Sequence, residues 1–142
     1  MRRALPSLLV AVVLALSFTS AGAEIIVVSD SLSPIRTLTR EQAEQLYLGR
    51  TRSLPDGIAV GLVDLPAGTV RDRFYELLTG KNPSQTRAYW SRQVFTGRAL
   101  PPKEAGSVAE AIAWVAANPS LIAYLPESAA TDKRLRVLLR LP

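Results

Sequence analysis

Four consecutive β-branched residues, Ile25-Ile26-Val27-Val28, follow Glu24 and constrain the fold more than any other stretch. Side chains branched at Cβ are stiff and favour extended backbone, and an apolar run without polar alternation predicts a buried strand. Ser29 to Pro34 then reads as a loop. A domain that opens on such a strand needs layers to cover it, and the rest of the chain supplies them.

Thr39 and Gln42 form the pattern of a capping box, and the helix behind them runs through Leu46 and Tyr47 to a stop at Gly49. Pro55-Asp56-Gly57 is a turn signal before a second strand over Ile58–Leu65. Val70, Phe74, Leu77 and Leu78 share one face of the next helix, which Gly80 ends. Asn82 as N-cap and Pro83 at the first helical position start another, carrying Tyr89 and Trp90 as core aromatics and ending by Gly97. After the Pro-rich loop of residues 98–106, where Arg98 and Lys103 are loop cations, Ser107 and Glu110 suggest a further capping box. The helix that follows is apolar nearly all round and is expected to be buried, with Asn118-Pro119 breaking it. "SLIAYLP" and "RLRVLLRL" read as two closing strands. The order β-α-β-α-α-α-β-β predicts an α/β fold, a layered sandwich of helices on a sheet.

The N-terminal residues carry an address. Arg2 and Arg3 precede an apolar stretch from Leu8 to Leu16, and Ala21-Gly22-Ala23 fits the small-x-small cleavage rule. The expectation is a secretory signal peptide over residues 1–23 and a single mature domain over 24–142, 119 residues long. Cysteine is absent, which excludes disulfides and a lipid-anchored start. A soluble exported protein is expected, periplasmic in a bacterium with two membranes. The net charge of +5 includes the two N-terminal arginines, so the mature domain carries +3, an excess that argues for solubility and against nucleic acid.

Composition also removes chemistry. With neither histidine nor cysteine, the commonest general base, the thiol nucleophile and most transition-metal sites are missing. G-x-S-x-G, P-loop and dinucleotide glycine patterns are absent too. The reading is a non-enzyme with no catalytic residues, no metal and no cofactor.

Anion recognition by backbone remains. In "VDLPAGTVRDRFYELLTG", a glycine-containing loop feeds a helix start that already carries Arg71 and Arg73. Cations in a first helical turn oppose the macrodipole, whereas an anion there meets unpaired amides. Gly68 permits close approach, Thr69 offers a hydroxyl and Arg71 a charged fork. The same residues are compatible with a purely structural role: Thr69 as N-cap, Gly68 as a turn residue, and Arg71 paired with Asp72 or Glu76. Asp64 and Asp72 flank the loop without marking an acid–base couple.

Four blocks in order carry a resemblance: "LTREQAEQLYLGRTRSLPDG", the stretch around "PAGTVRDRF", "AYWSRQVFTGRALPPKEAGS" and "NPSLIAYLP". Together they resemble small single-domain relatives of the phosphate-binding component of phosphate ABC transporters, the periplasmic binding protein-like (PBP-like) domain family. The resemblance implies a single three-layer-like sandwich lobe with a mixed sheet, like one lobe of a type II periplasmic binding protein. It further implies a solute-binding protein for inorganic phosphate or a similar oxyanion, with an ABC permease or membrane sensor as partner and a homodimer as one way to complete the site. By resemblance, the ligand-binding residues are Ser29, at the end of the first strand, and Gly68, Thr69, Val70 and Arg71. The family's serine-glycine-threonine loop fits in two registers: Ala67-Gly68-Thr69 with Arg71 one place late, or Gly68-Thr69-Val70 with Arg71 in place. Either register lacks a phosphate-contacting hydroxyl. The mature length corresponds to about one lobe of a two-lobed receptor, which leaves a second reading open: a ligand-free docking module for a sensor or envelope complex.

Overall fold

The computed structural model describes residues 24–142. The expected signal peptide, residues 1–23, lies outside them. The β-branched run becomes β1 (Ile25–Asp30), buried along its whole length. It is followed by α1 (Arg40–Tyr47), β2 (Gly61–Asp64), α2 (Thr69–Thr79), α3 (Pro83–Phe95), β3 (Lys103–Glu104), α4 (Val108–Ala117), β4 (Leu121–Pro126) and β5 (Leu135–Leu141).

The strands form one five-stranded sheet in the order β3-β2-β4-β1-β5. β2 runs parallel to both β3 and β4, whereas β1 is antiparallel to β4 and β5, so the sheet is mixed, as expected. The chain steps outward from β2 to β3, then back across β2 to β4. Right-handed crossovers in opposite directions place their helices on opposite faces. α2 and α3 therefore lie on one face and α4 on the other. Continuous burial of Ile25 to Val28 in β1 and of Ile122 to Leu125 in β4 agrees with a sheet covered on both sides.

Local signals formed much as expected at three helix ends. Thr39 and Gln42 make a reciprocal capping box, and Asn82 caps α3 with Pro83 behind it and Gln85 closing its own box. Ser107 accepts from the Glu110 amide, half of the expected box. Three expectations need correction. β2 is four residues rather than eight; Ala59 makes an isolated bridge to Ser53, because the Pro55–Gly57 turn folds that segment back on itself. β3, inside the Pro-rich loop, was not expected; its two residues pair with Val63 and Asp64 at the sheet edge. α4 is not buried all round; it covers the sheet through Ala111 and Val115, and small alanines on its other faces tolerate water.

The core of the α2 face is aromatic. Phe74 stacks on Tyr124 with centroids 3.7 Å apart, and Tyr47 meets Phe74 edge-on at 4.8 Å. Gly49 ends α1 at φ +68°, and a Cβ there would meet Ala99 Cβ at 2.9 Å and Trp90 Cη2 at 3.1 Å. Gly57, at φ +89°, has open space around it. Gly49→Ala is expected to cost more than the about 1–2 kcal/mol of left-handed backbone, and Gly57→Ala that backbone cost alone. Urea unfolding of the two variants checks the difference.

Candidate functional site

α2 starts without a side-chain cap. Thr69 is its first residue rather than its N-cap; that place belongs to Gly68, whose backbone is extended at φ 161° and ψ −176°. The first intrahelical bond runs from the Asp72 amide to the Gly68 carbonyl at 3.0 Å, so the amides of Thr69, Val70 and Arg71 precede the helical ladder. Ala67, Gly68 and Thr69 are exposed, and the nearest atom to a Cβ at Gly68 would be the Pro66 carbonyl oxygen at 3.9 Å. Geometrically this is an open helix start at which an anion meets backbone donors and the positive end of the dipole.

Beneath it lies a residue whose role sequence reasoning left open. Asp64, at the end of β2, is 2% exposed and accepts hydrogen bonds from the Tyr124 hydroxyl, the Tyr75 hydroxyl at 2.9 Å and the Leu65 amide at 2.9 Å. Arg71 Nη2 stands 3.7 Å from Oδ2, the oxygen that also accepts from Tyr75. Burial raises the Asp64 pKa, while Tyr124, the Arg71 charge, Tyr75 and the Leu65 amide pull it back down. Burial, followed by the Asp64 charge, pushes the Tyr75 and Tyr124 phenols upward, so both remain proton donors to the carboxylate. No spacing rule could have found this cluster: its members come from β2, α2 and β4.

Arg71 does not pair with Asp72 or Glu76, the partners considered for it from sequence. Its guanidinium donates to the Leu65 carbonyl at 3.3 Å and reaches Glu104 on β3 at 3.5 Å, besides Asp64. It therefore bridges a buried and an exposed carboxylate beside the α2 start, with 28% of its side chain exposed. Gly68, Thr69, Val70 and Arg71 come together here. Ser29 does not join them. β1 runs antiparallel to β4 and β4 parallel to β2, so Ser29, paired with Ile122, leaves the sheet at the end where β2 begins. It is fully buried, and its hydroxyl donates to the Asp30 and Ile35 carbonyls.

Alongside the α2 start, a groove of about 690 Å³ runs between α2 and α3, from Ala67 and Arg71 to Val94, Phe95 and Pro101. Among the described residues there is no cluster of potential metal ligands, and no helix is long and apolar enough to cross a membrane.

This architecture has solved counterparts. An ABC-type phosphate transport receptor from Vibrio cholerae superposes with a TM-score of 0.61 at 17% identity, over 82% of this chain and 46% of the receptor. A putative phosphate ABC transporter substrate-binding protein from Clostridium perfringens, solved with bound phosphate, gives 0.62 at 17% identity, over 82% of this chain and 45% of the other. The fold is that of part of a phosphate receptor. The expected PBP-like lobe is thus borne out as a fold, and the chain spans just under half the length of these receptors. No protein-family model and no curated protein matches the sequence.

Proposed function

We propose that this chain is an exported binding domain of phosphate-receptor fold that holds phosphate or a similar small oxyanion at the start of α2. The observation that carries the reading is the exposed, uncapped first turn at Gly68–Arg71 in a fold shared with phosphate receptors. The Thr69, Val70 and Arg71 amides supply the donors, the Thr69 hydroxyl a further contact, and Arg71 partial charge compensation. Ser29 is left out of this site, since it lies buried at the other end of the strands. At this exposed turn the anion stays in contact with water, and the Asp64 and Glu104 carboxylates oppose it, so binding is weak. Its setting is the periplasm, where an ABC permease or a membrane sensor takes the loaded domain, or a second copy closes over the anion.

Phosphate titration followed by amide NMR tests this. Saturable shifts are expected at Thr69, Val70 and Arg71, and a silent first turn at high phosphate would sink the reading. Glu104→Gln removes an exposed carboxylate from Arg71 and is expected to tighten phosphate about 2–5-fold; an unchanged titration curve would show that Glu104 does not compete.

A second reading, a docking module, is favoured by one observation: Phe95 is 92% exposed and Leu100 76% exposed near the end of α3. Large apolar side chains left in water suit contact with a protein partner. Phe95→Ser is then expected to reduce recovery of that partner from envelope extracts.

A further inference from the structure

The groove between α2 and α3 is far larger than a tetrahedral ion requires, and its size falls within the range of small-molecule sites. We propose that it receives the apolar body of an organic anion whose charged group sits at the first turn of α2. This deepens the oxyanion reading and rests on it, because the same turn supplies the anion contacts.

Three observations point to an occupant. Thr86 and Trp90 stand one helical turn apart on α3 and both line the groove. They are 7% and 8% exposed, yet Thr86 Oγ1 and Trp90 Nε1 have no hydrogen-bond partner. Buried polar atoms are rarely left unpaired, and a small turn of either side chain toward a ligand acceptor in the groove would complete the set. Val94 and Phe95 extend the same wall, and both are exposed, so the far end of the groove presents apolar surface that a small molecule would cover.

Charge selects the class of occupant. Arg71 and Arg87 line the groove against a single carboxylate, Asp72, while the Tyr75 hydroxyl is held by Asp64. Arg71 already carries two acidic neighbours, so Arg87, which donates a long 3.4 Å bond to the Ser84 hydroxyl, contributes most of the added attraction. An aromatic or aliphatic phosphate or carboxylate fits this lining better than a neutral apolar molecule.

The test compares phenyl phosphate with inorganic phosphate on the full domain, read by ¹⁵N NMR. The indole N–H of Trp90 is distinguished from that of Trp114 with a Trp114→Phe sample. Phenyl phosphate is expected to bind about tenfold tighter than inorganic phosphate, since its ring leaves water. It is also expected to shift the Trp90 indole resonance, and Arg87→Gln to weaken it. Equal affinities, with shifts confined to the Thr69 and Val70 amides, would overturn the groove assignment while leaving oxyanion binding intact. Tighter phenyl phosphate binding with a silent Trp90 would place the ring elsewhere and overturn it too. No response to either compound overturns both readings.

Discussion

Asp64→Ala is expected to lower stability by about 3–5 kcal/mol, because it removes the acceptor of a buried charged cluster and strands its donors. The Tyr124 and Tyr75 hydroxyls and the Leu65 amide all converge on this carboxylate, and all three residues are buried, out of reach of solvent that could replace it. Tyr75→Phe removes one donor and leaves the acceptor served by the others, so a smaller loss of about 1 kcal/mol is expected. Urea unfolding followed by circular dichroism ranks the two variants, and an Asp64→Ala protein as stable as wild type would refute the cluster's role. The pH dependence has a definite sign. Burial raises the Asp64 pKa in the folded state, so its contribution is complete below the unfolded value of about 3.9 and is lost as pH rises through the folded value. Asp132, held down to about 2 by Arg134, works in the other direction, losing its contribution as pH falls through that value. The informative quantity is therefore a difference: wild-type stability relative to Asp64→Asn is expected to fall between acid and neutral pH.

This cluster also shows where sequence reading stops. β1 was legible because four β-branched residues in a row admit few conformations other than a buried strand. α1 and α3 were legible at their starts, because Thr39–Gln42 and Asn82–Gln85 satisfy their own backbone donors within a few residues. β3 was not. Two residues amid prolines carry no periodicity, and Lys103–Glu104 becomes a strand only because the edge of β2 offers Val63 and Asp64 as partners. α4 misled for a related reason. Its alanines score as apolar, yet most of them bury little, and the helix meets the core through Ala111 and Val115, with Val108, Ile112 and Trp114 half-buried beside them.

The candidate site was legible as a segment and illegible as an environment. A glycine before a helix carrying arginines marks Gly68–Arg71 from sequence alone, and the exposed helix start is where that stretch places it. What surrounds it comes from afar: Glu104 lies 33 residues from Arg71, and Tyr124 lies 60 from Asp64. Ser29 was grouped with the loop by resemblance, yet strand direction, which no local pattern reports, sends it to the other end of the sheet. Arg71 changes most. Read locally, it is a cation without a reason to sit in a first turn; in the fold it answers Asp64, the buried carboxylate below. That pairing explains the arginine without a ligand, so anion binding has to be shown at the amides rather than inferred from Arg71.

Phe74→Ala is expected to cost about 3–5 kcal/mol, the range for an aromatic side chain removed from a closed core. Phe74 is fully buried, lies flat on Tyr124 with rings 5° from parallel, and meets Tyr47 and Tyr75 edge-on. The cavity would open directly against the two tyrosines that hold Asp64, so the loss should extend beyond packing. With the Tyr124 ring free to tilt, its bond to Asp64 loosens, and the carboxylate that positions Arg71 and Leu65 at the α2 start loosens with it. Phe74→Leu keeps most of the volume and is expected to cost less, in the range of about 1–2 kcal/mol. A double-mutant cycle with Tyr124→Phe separates the effects. If packing alone is at stake, the two losses add; if Phe74 holds the Tyr124 hydroxyl on Asp64, the double variant loses less than the sum. Amide exchange at Leu65 and Arg71 in Phe74→Leu supplies the second readout. Faster exchange there, in a protein that remains folded, would tie the aromatic stack to the geometry of the helix start.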